Sequence, residues 1–139
     1  MKVSDIMRTT PVTIEGADSL GEATQRMHQH AIRHLPVMRE GRLIGVLSER
    51  DVLAFRAARG FVENWENVHV SAAMTISPQT AGPEDSLTEV AARFAYAHIG
   101  CLPILERGAL VGIITVSDVL AGEVEAAMAP TQPGSAVPS

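Results

Sequence analysis

The chain has 139 residues, a net charge of −5 and a pI near 5.5, the size of one compact domain whose core needs no disulfide, and its one cysteine can form none internally. The acidic balance and the 4% aromatic content disfavour a nucleic-acid surface, which calls for basic side chains and stacking platforms. Met1-Lys2-Val3-Ser4-Asp5 lacks the apolar core of a signal peptide and no apolar run approaches a membrane span, so a cytoplasmic protein with no membrane contact is expected.

The chain is one unit written twice. Displaced by 67 residues, Val3 to Ala54 falls on Val70 to Ala121 without a gap, and 20 of the 52 positions are identical. A fixed offset of this kind marks two copies of one supersecondary unit. Two such units most simply pack about a pseudo-two-fold axis, so a pocket made by one should occur twice. The expected divisions are 1–60 for the first unit, 61–69 for a connector, 70–128 for the second unit and 129–139 for a tail of linker composition.

Each unit opens on a short extended piece, Pro11 to Ile14 or Pro78 to Ala81. A helix follows with apolar residues at i, i+3 and i+7: Leu20, Ala23 and Met27, or Leu87, Val90 and Phe94. Both helices begin with a capping-box pattern, Ser19 with Glu22 and Ser86 with Glu89. Leu35 to Met38 and Leu102 to Leu105 read as strands, and Gly41 or Gly108 turns the chain into a second strand, Leu43 to Leu47 or Leu110 to Ile114. These runs are apolar on consecutive positions, so both faces are expected to be buried. A last helix begins at Ser48 or Thr115. The fold class is therefore α/β (α+β), two β-α-β-β-α repeats. Residues 55–69 belong to neither copy; Phe61 and Trp65 are expected to anchor them on the core or on a partner chain.

The chemistry concentrates at the second strand-to-helix junction. Gly45-Val46-Leu47-Ser48-Glu49-Arg50-Asp51 has its copy in Gly112-Ile113-Ile114-Thr115-Val116-Ser117-Asp118. One reading is a capping box and nothing more. The other is a nucleotide half-site. Free amides at a helix N-terminus favour phosphate, the hydroxyl of Ser48 or Thr115 can donate to it, and an ionised Asp51 or Asp118 can receive both hydroxyls of a ribose. Gly45 and Gly112 permit a close approach to the backbone.

Asp5-Ile6-Met7, Pro11-Val12-Thr13, Leu35-Pro36-Val37 and the Gly45 to Asp51 motif resemble a cystathionine-β-synthase (CBS) domain, and Val70 to Leu120 resembles a second. Two in tandem form a CBS pair, or Bateman module, here of the stand-alone bacterial type. The resemblance implies ribose binding by Asp51 and Asp118 and phosphate binding by Ser48, Arg50 and Thr115. It places adenine by Thr13 and Thr80 and by the backbone at His34-Leu35 and Cys101-Leu102. It implies a regulatory module that binds AMP, ADP, ATP or a related adenosyl ligand, requires no cofactor, catalyses nothing and forms a homodimer through its helices, including the faces of Ala91, Ala92, Ala95, Ala121, Ala126 and Ala127. Its output is expected in an unidentified effector protein. The first motif carries Arg50 where the second has Ser117, so the second motif lacks that cation and the first site is expected to hold polyphosphate more tightly, with a cation from the opposite copy as the alternative supply for the second.

The alternatives are weaker on chemistry. His28-x-His30 and His98-x-x-Cys101 lack a partner pair for a metal, and no histidine adjoins either hydroxyl to make it a nucleophile. The rival from another class is a structural or protein-interaction dimer module with degenerate ligand sites.

Overall fold

The computed structural model describes the backbone of residues 1–128 and the side chains of residues 1–122; the expectations for Ala126, Ala127 and the tail 129–139 lie outside those limits. The chain runs β1 (Arg8–Thr9), β2 (Ile14–Glu15), α1 (Leu20–Gln29), β3 (His34–Arg39), β4 (Arg42–Ser48), α2 (Glu49–Ala58), β5 (Thr75–Ile76), α3 (Leu87–Ala97), β6 (Cys101–Glu106), β7 (Ala109–Thr115) and α4 (Val116–Met128), with single helical turns at Val3–Asp5, Trp65–Asn67 and Val70–Ala72.

The two long hairpins arise from the same local chemistry. β3 and β4 are antiparallel with Arg39 opposite Arg42, and β6 and β7 with Glu106 opposite Ala109. Only two residues join the strands of each, and both have positive φ: Glu40 at 50° and Gly41 at 75°, Arg107 at 52° and Gly108 at 81°. That is the backbone whose twist matches a hairpin. Each hairpin also carries one register shift at the same repeat position, between Val37 and Met38 and between Ile104 and Leu105.

The units are joined by exchange of their edge strands. β2 lies parallel to β3 in the first unit, and Ala81 makes the corresponding parallel bridge to Ile104 in the second. β5 of the second unit then completes the first unit's sheet against β4, giving the order β2-β3-β4-β5. β1 of the first unit pairs with β7, giving β1-β7-β6. These exchanged strands are an addition to the strand–helix–strand–strand–helix unit read from the sequence.

The exchange explains Gly45 and Gly112. A β-carbon on Gly45 would lie 2.6 Å from Met74 Sδ and 2.7 Å from the Thr75 carbonyl oxygen. One on Gly112 would lie 2.8 Å from Met7 Sδ and 3.0 Å from the Arg8 carbonyl oxygen. The close approach anticipated at these glycines is therefore made by the opposite unit's strand.

Each unit has its own apolar core. Ile14, Leu20, Leu35, Val37 and Leu47 fill one, and Leu87, Val90, Leu102, Ile104 and Ile114 the other. Val46, Cys101 and Ile113 form a third, small buried cluster where β4 and β7 meet. Val46 and Ile113 are repeat mates, which places this seam on the pseudo-two-fold. Trp65 packs on the first core and carries the Arg56 guanidinium 4.3 Å from its ring centre. Phe61 does not anchor the connector in the core: it is 58% exposed and makes only a longer stacking contact with Arg56, at 5.8 Å.

Candidate functional site

Ser48 and Thr115 end β4 and β7, and the chain turns from each directly into a helix. Ser48 is the N-cap of α2: its Oγ accepts from the Asp51 amide at 2.9 Å, and Asp51 Oδ2 accepts from the Ser48 amide at 2.9 Å. The full reciprocal box is thus built here. At α1 it is only half built. Ser19 accepts from the Glu22 amide, but the Glu22 carboxylate turns to Arg26, 2.8 Å away at i+4. Ser86 likewise accepts from the Glu89 amide, at 3.5 Å.

Strand register brings the sequence-assigned residues of each unit together. His34 stands opposite Ser48 and Leu35 opposite Leu47; Cys101 stands opposite Thr115 and Leu102 opposite Ile114. The parallel alignment of Ile14 with Val37 sets Thr13 beside Pro36, and the bridge from Ala81 to Ile104 sets Thr80 beside Pro103. Two arginines identical between the copies, not singled out as site residues in the sequence, fix these extended pieces. Arg26 Nη1 donates to the Thr13 carbonyl at 2.7 Å and Arg93 Nη1 to the Thr80 carbonyl at 2.9 Å. Leu35 and Leu102 are fully buried, so those positions can offer a ligand only backbone.

The helix termini are less open than two bare N-termini. The Glu49 amide donates to the Arg33 carbonyl at 2.9 Å and the Val116 amide to the Gly100 carbonyl at 3.3 Å. With the Asp51 and Asp118 amides also engaged, the first-turn donors left for an anion are the Arg50 and Ser117 amides.

His34 and Cys101, repeat mates, both feel Asp51. Burial pushes the His34 imidazole below its ordinary value, with Asp51 opposing and Arg33 and Arg50 reinforcing the shift. Burial pushes the Cys101 thiol up to about 12, helped by Asp51. The His34 ring lies over Gly100 of the opposite unit, where a β-carbon would fall 2.6 Å from Nε2. The first site therefore abuts the seam between the units.

The second site has a cation from the opposite unit: Arg8 Nε donates to Asp118 Oδ1 at 3.0 Å across 110 residues of sequence. Arg8 arrives on β1, the strand given by the first unit, and its repeat mate on β5 is the uncharged Thr75. A local reading of the motif has no sight of it; only the strand exchange delivers it. Thr115 Oγ1 also donates to Asp118 Oδ2 at 2.9 Å. Arg50, on the first motif, is exposed.

Two grooves, of about 280 and 350 Å³, are lined by other residues: the first by Glu15, Met38, Arg39 and His69 among others, the second by Ala91, Phe94, Ala95, Val116, Val119 and Leu120. Among the described residues no three His, Cys, Asp or Glu side chains gather as a metal site, and no helix is long and apolar enough to cross a membrane.

Comparison with known proteins agrees with this architecture. The family model for the CBS domain matches residues 3–58 and 70–125. The CBS domain-containing protein YhcV of Bacillus subtilis is 31% identical over 117 residues, covering 84% of this chain and 81% of YhcV. An inosine-5'-monophosphate dehydrogenase of Korarchaeum cryptofilum is 36% identical over 109 residues, but the match spans only 21% of that enzyme. Among solved structures, the CBS-domain containing protein ATU1752 of Agrobacterium tumefaciens superposes with a TM-score of 0.82 at 26% identity, covering 88% of this chain and 99% of that one. The CBS domain pair of protein MJ0100, solved with 5'-methylthioadenosine and S-adenosyl-L-methionine, superposes at 0.77 with 27% identity over 89% of this chain and 98% of that one. Two repeats with exchanged edge strands, each matched along its length, make this chain a tandem pair of CBS domains and a member of the CBS domain family.

Proposed function

We propose that the chain is a regulatory module that binds an adenosine nucleotide or related adenosyl compound and transmits occupancy as a change in shape or assembly. The observation that carries the reading is the doubled hydroxyl-and-aspartate motif at strand-to-helix junctions, with Asp51 facing the seam between units. The adenosyl ligands of the MJ0100 pair support it. Asp51 and Asp118 take ribose hydroxyls; Ser48, Arg50 and Thr115 take phosphate; Thr13 and Thr80 with the backbone at His34-Leu35 and Cys101-Leu102 take adenine. A ligand touching both units favours the arrangement that closes on it, which is how binding becomes a signal to an effector protein. The module is read as regulatory rather than catalytic. The domain divisions 1–60, 61–69, 70–128 and 129–139 fit this reading.

Thermal shift tests it, because a ligand of the native state stabilises by RT ln(1 + [L]/Kd). Adenosyl compounds should raise the melting temperature and their guanosine and pyrimidine counterparts should do less. No shift with any adenosyl compound at millimolar concentration supports the second reading, a structural dimer module; the complete Ser48–Asp51 capping box is the feature that favours it.

A homodimer belongs to both readings. Repeat mates Leu53 and Leu120 are each 57% exposed, and Leu120 rims the apolar groove between α3 and α4. With Ala92, Ala95 and Ala121 exposed nearby, a second copy's helices can approach closely. Light scattering at high micromolar concentration should give twice the chain mass; a monomer mass rejects the dimer.

A further inference from the structure

We infer that Arg8 makes the second site selective for phosphorylated ligands. This rests on the adenosyl-binding reading above. The inference comes from comparing how the two aspartates are engaged. Asp51 uses Oδ2 to accept from the Ser48 amide, and among the described residues its Oδ1 receives no hydrogen bond. Asp118 uses both oxygens: Oδ2 accepts from the Thr115 amide at 3.0 Å and the Thr115 hydroxyl at 2.9 Å, and Oδ1 accepts from Arg8 Nε at 3.0 Å. The Asp118 side chain is only 10% exposed, whereas Arg8 is 63% exposed. The arginine therefore covers the carboxylate from the solvent side.

These three bonds leave Asp118 one free lone pair, on Oδ1, so a ribose diol, which needs two, has to displace a donor, and Arg8 is the one on the solvent side. A nucleoside that does so leaves the guanidinium without an anionic partner. A nucleotide brings a replacement, because Thr115, bonded to the same carboxylate, is the phosphate-binding hydroxyl, and a guanidinium bonded to Asp118 is one side chain away from it. Guanidinium geometry suits phosphate as well as carboxylate. Phosphate thus opens the site that Arg8 closes. At the first site the corresponding strand position is Thr75, which neither closes Asp51 nor rewards phosphate.

The test is calorimetric titration of the whole chain with adenosine and with AMP, the first site being weakened by Asp51→Asn. In that background AMP should bind at least tenfold more tightly than adenosine. Adding Arg8→Gln, which keeps the β1 pairing, should weaken AMP about two- to fivefold, as fits an exposed charge pair. It should strengthen adenosine, so that the two affinities converge. Raised salt should narrow the AMP advantage only where Arg8 is present. Equal effects of Arg8→Gln on both ligands, or no effect on their ratio, overturn the inference and leave the nucleotide reading standing. Loss of all binding in Asp51→Asn when the unaltered chain binds also overturns it. No binding of either ligand to the unaltered chain overturns the underlying reading itself.

Discussion

Met74 closes over Gly45 so tightly that a β-carbon there would lie 2.6 Å from its sulfur, and Met7 closes over Gly112 in the same way, at 2.8 Å. Methionine and glycine come from opposite units in both cases, so the pair of contacts locks one exchanged strand at each edge. Neither glycine has a positive φ; only space demands it. Gly45→Ala and Gly112→Ala should each destabilise the chain by about 1–3 kcal/mol through overpacking, lowering the melting temperature by several degrees. Unchanged or raised melting temperatures, as expected where an alanine fits without strain, contradict the strand exchange.

Arg26 and Arg93 should matter as a matched pair. Each spans a half-buried gap to the carbonyl of the extended piece, at Thr13 and Thr80. Arg26→Ala and Arg93→Ala should each cost about 1 kcal/mol in urea unfolding and weaken adenosine binding. If neither alters adenosine affinity, the extended pieces do not touch the ligand.

His34 sets a pH dependence. Its folded value lies below the ordinary 6.5 because burial disfavours the imidazolium. Between those two values the unfolded chain binds the extra proton, so stability is intact above about pH 6.5 and is lost as pH falls through the depressed folded value. Thermal melts from pH 8 to pH 5 should show this decline, and His34→Gln should be flatter. Parallel profiles would place His34 in water.

Cys101 should be chemically quiet. With its thiol pushed up to about 12, little thiolate exists at pH 8. Alkylation by iodoacetamide should be slow in buffer and fast in denaturant. Rapid labelling of the native chain contradicts its place in the seam with Val46 and Ile113.

Much of this was legible in the sequence because it was local. The spacing of Leu20, Ala23 and Met27 marks the buried face of α1, and Ser48 with Asp51 marks the cap of α2. What the sequence concealed depends on the other copy. β1 and β5 are two exposed residues each, too short for any alternation, and their partners lie in the opposite unit. Gly45 and Gly112 therefore looked open to a ligand, and Arg8 carried no local sign of meeting Asp118. The half-built box at Ser19 has a different cause: Arg26 sits one turn beyond Glu22 and outcompetes the Ser19 amide for its carboxylate.

The most direct test of the account is calorimetric titration of AMP into the intact chain and into the double variant Asp51→Asn, Asp118→Asn. Asparagine keeps an acceptor for the cap and removes the charge, so folding should survive, as the melting temperature without ligand will show. The account predicts saturable AMP binding to the intact chain and its loss in the double variant. Undiminished binding in the double variant, or none in the intact chain, would contradict it.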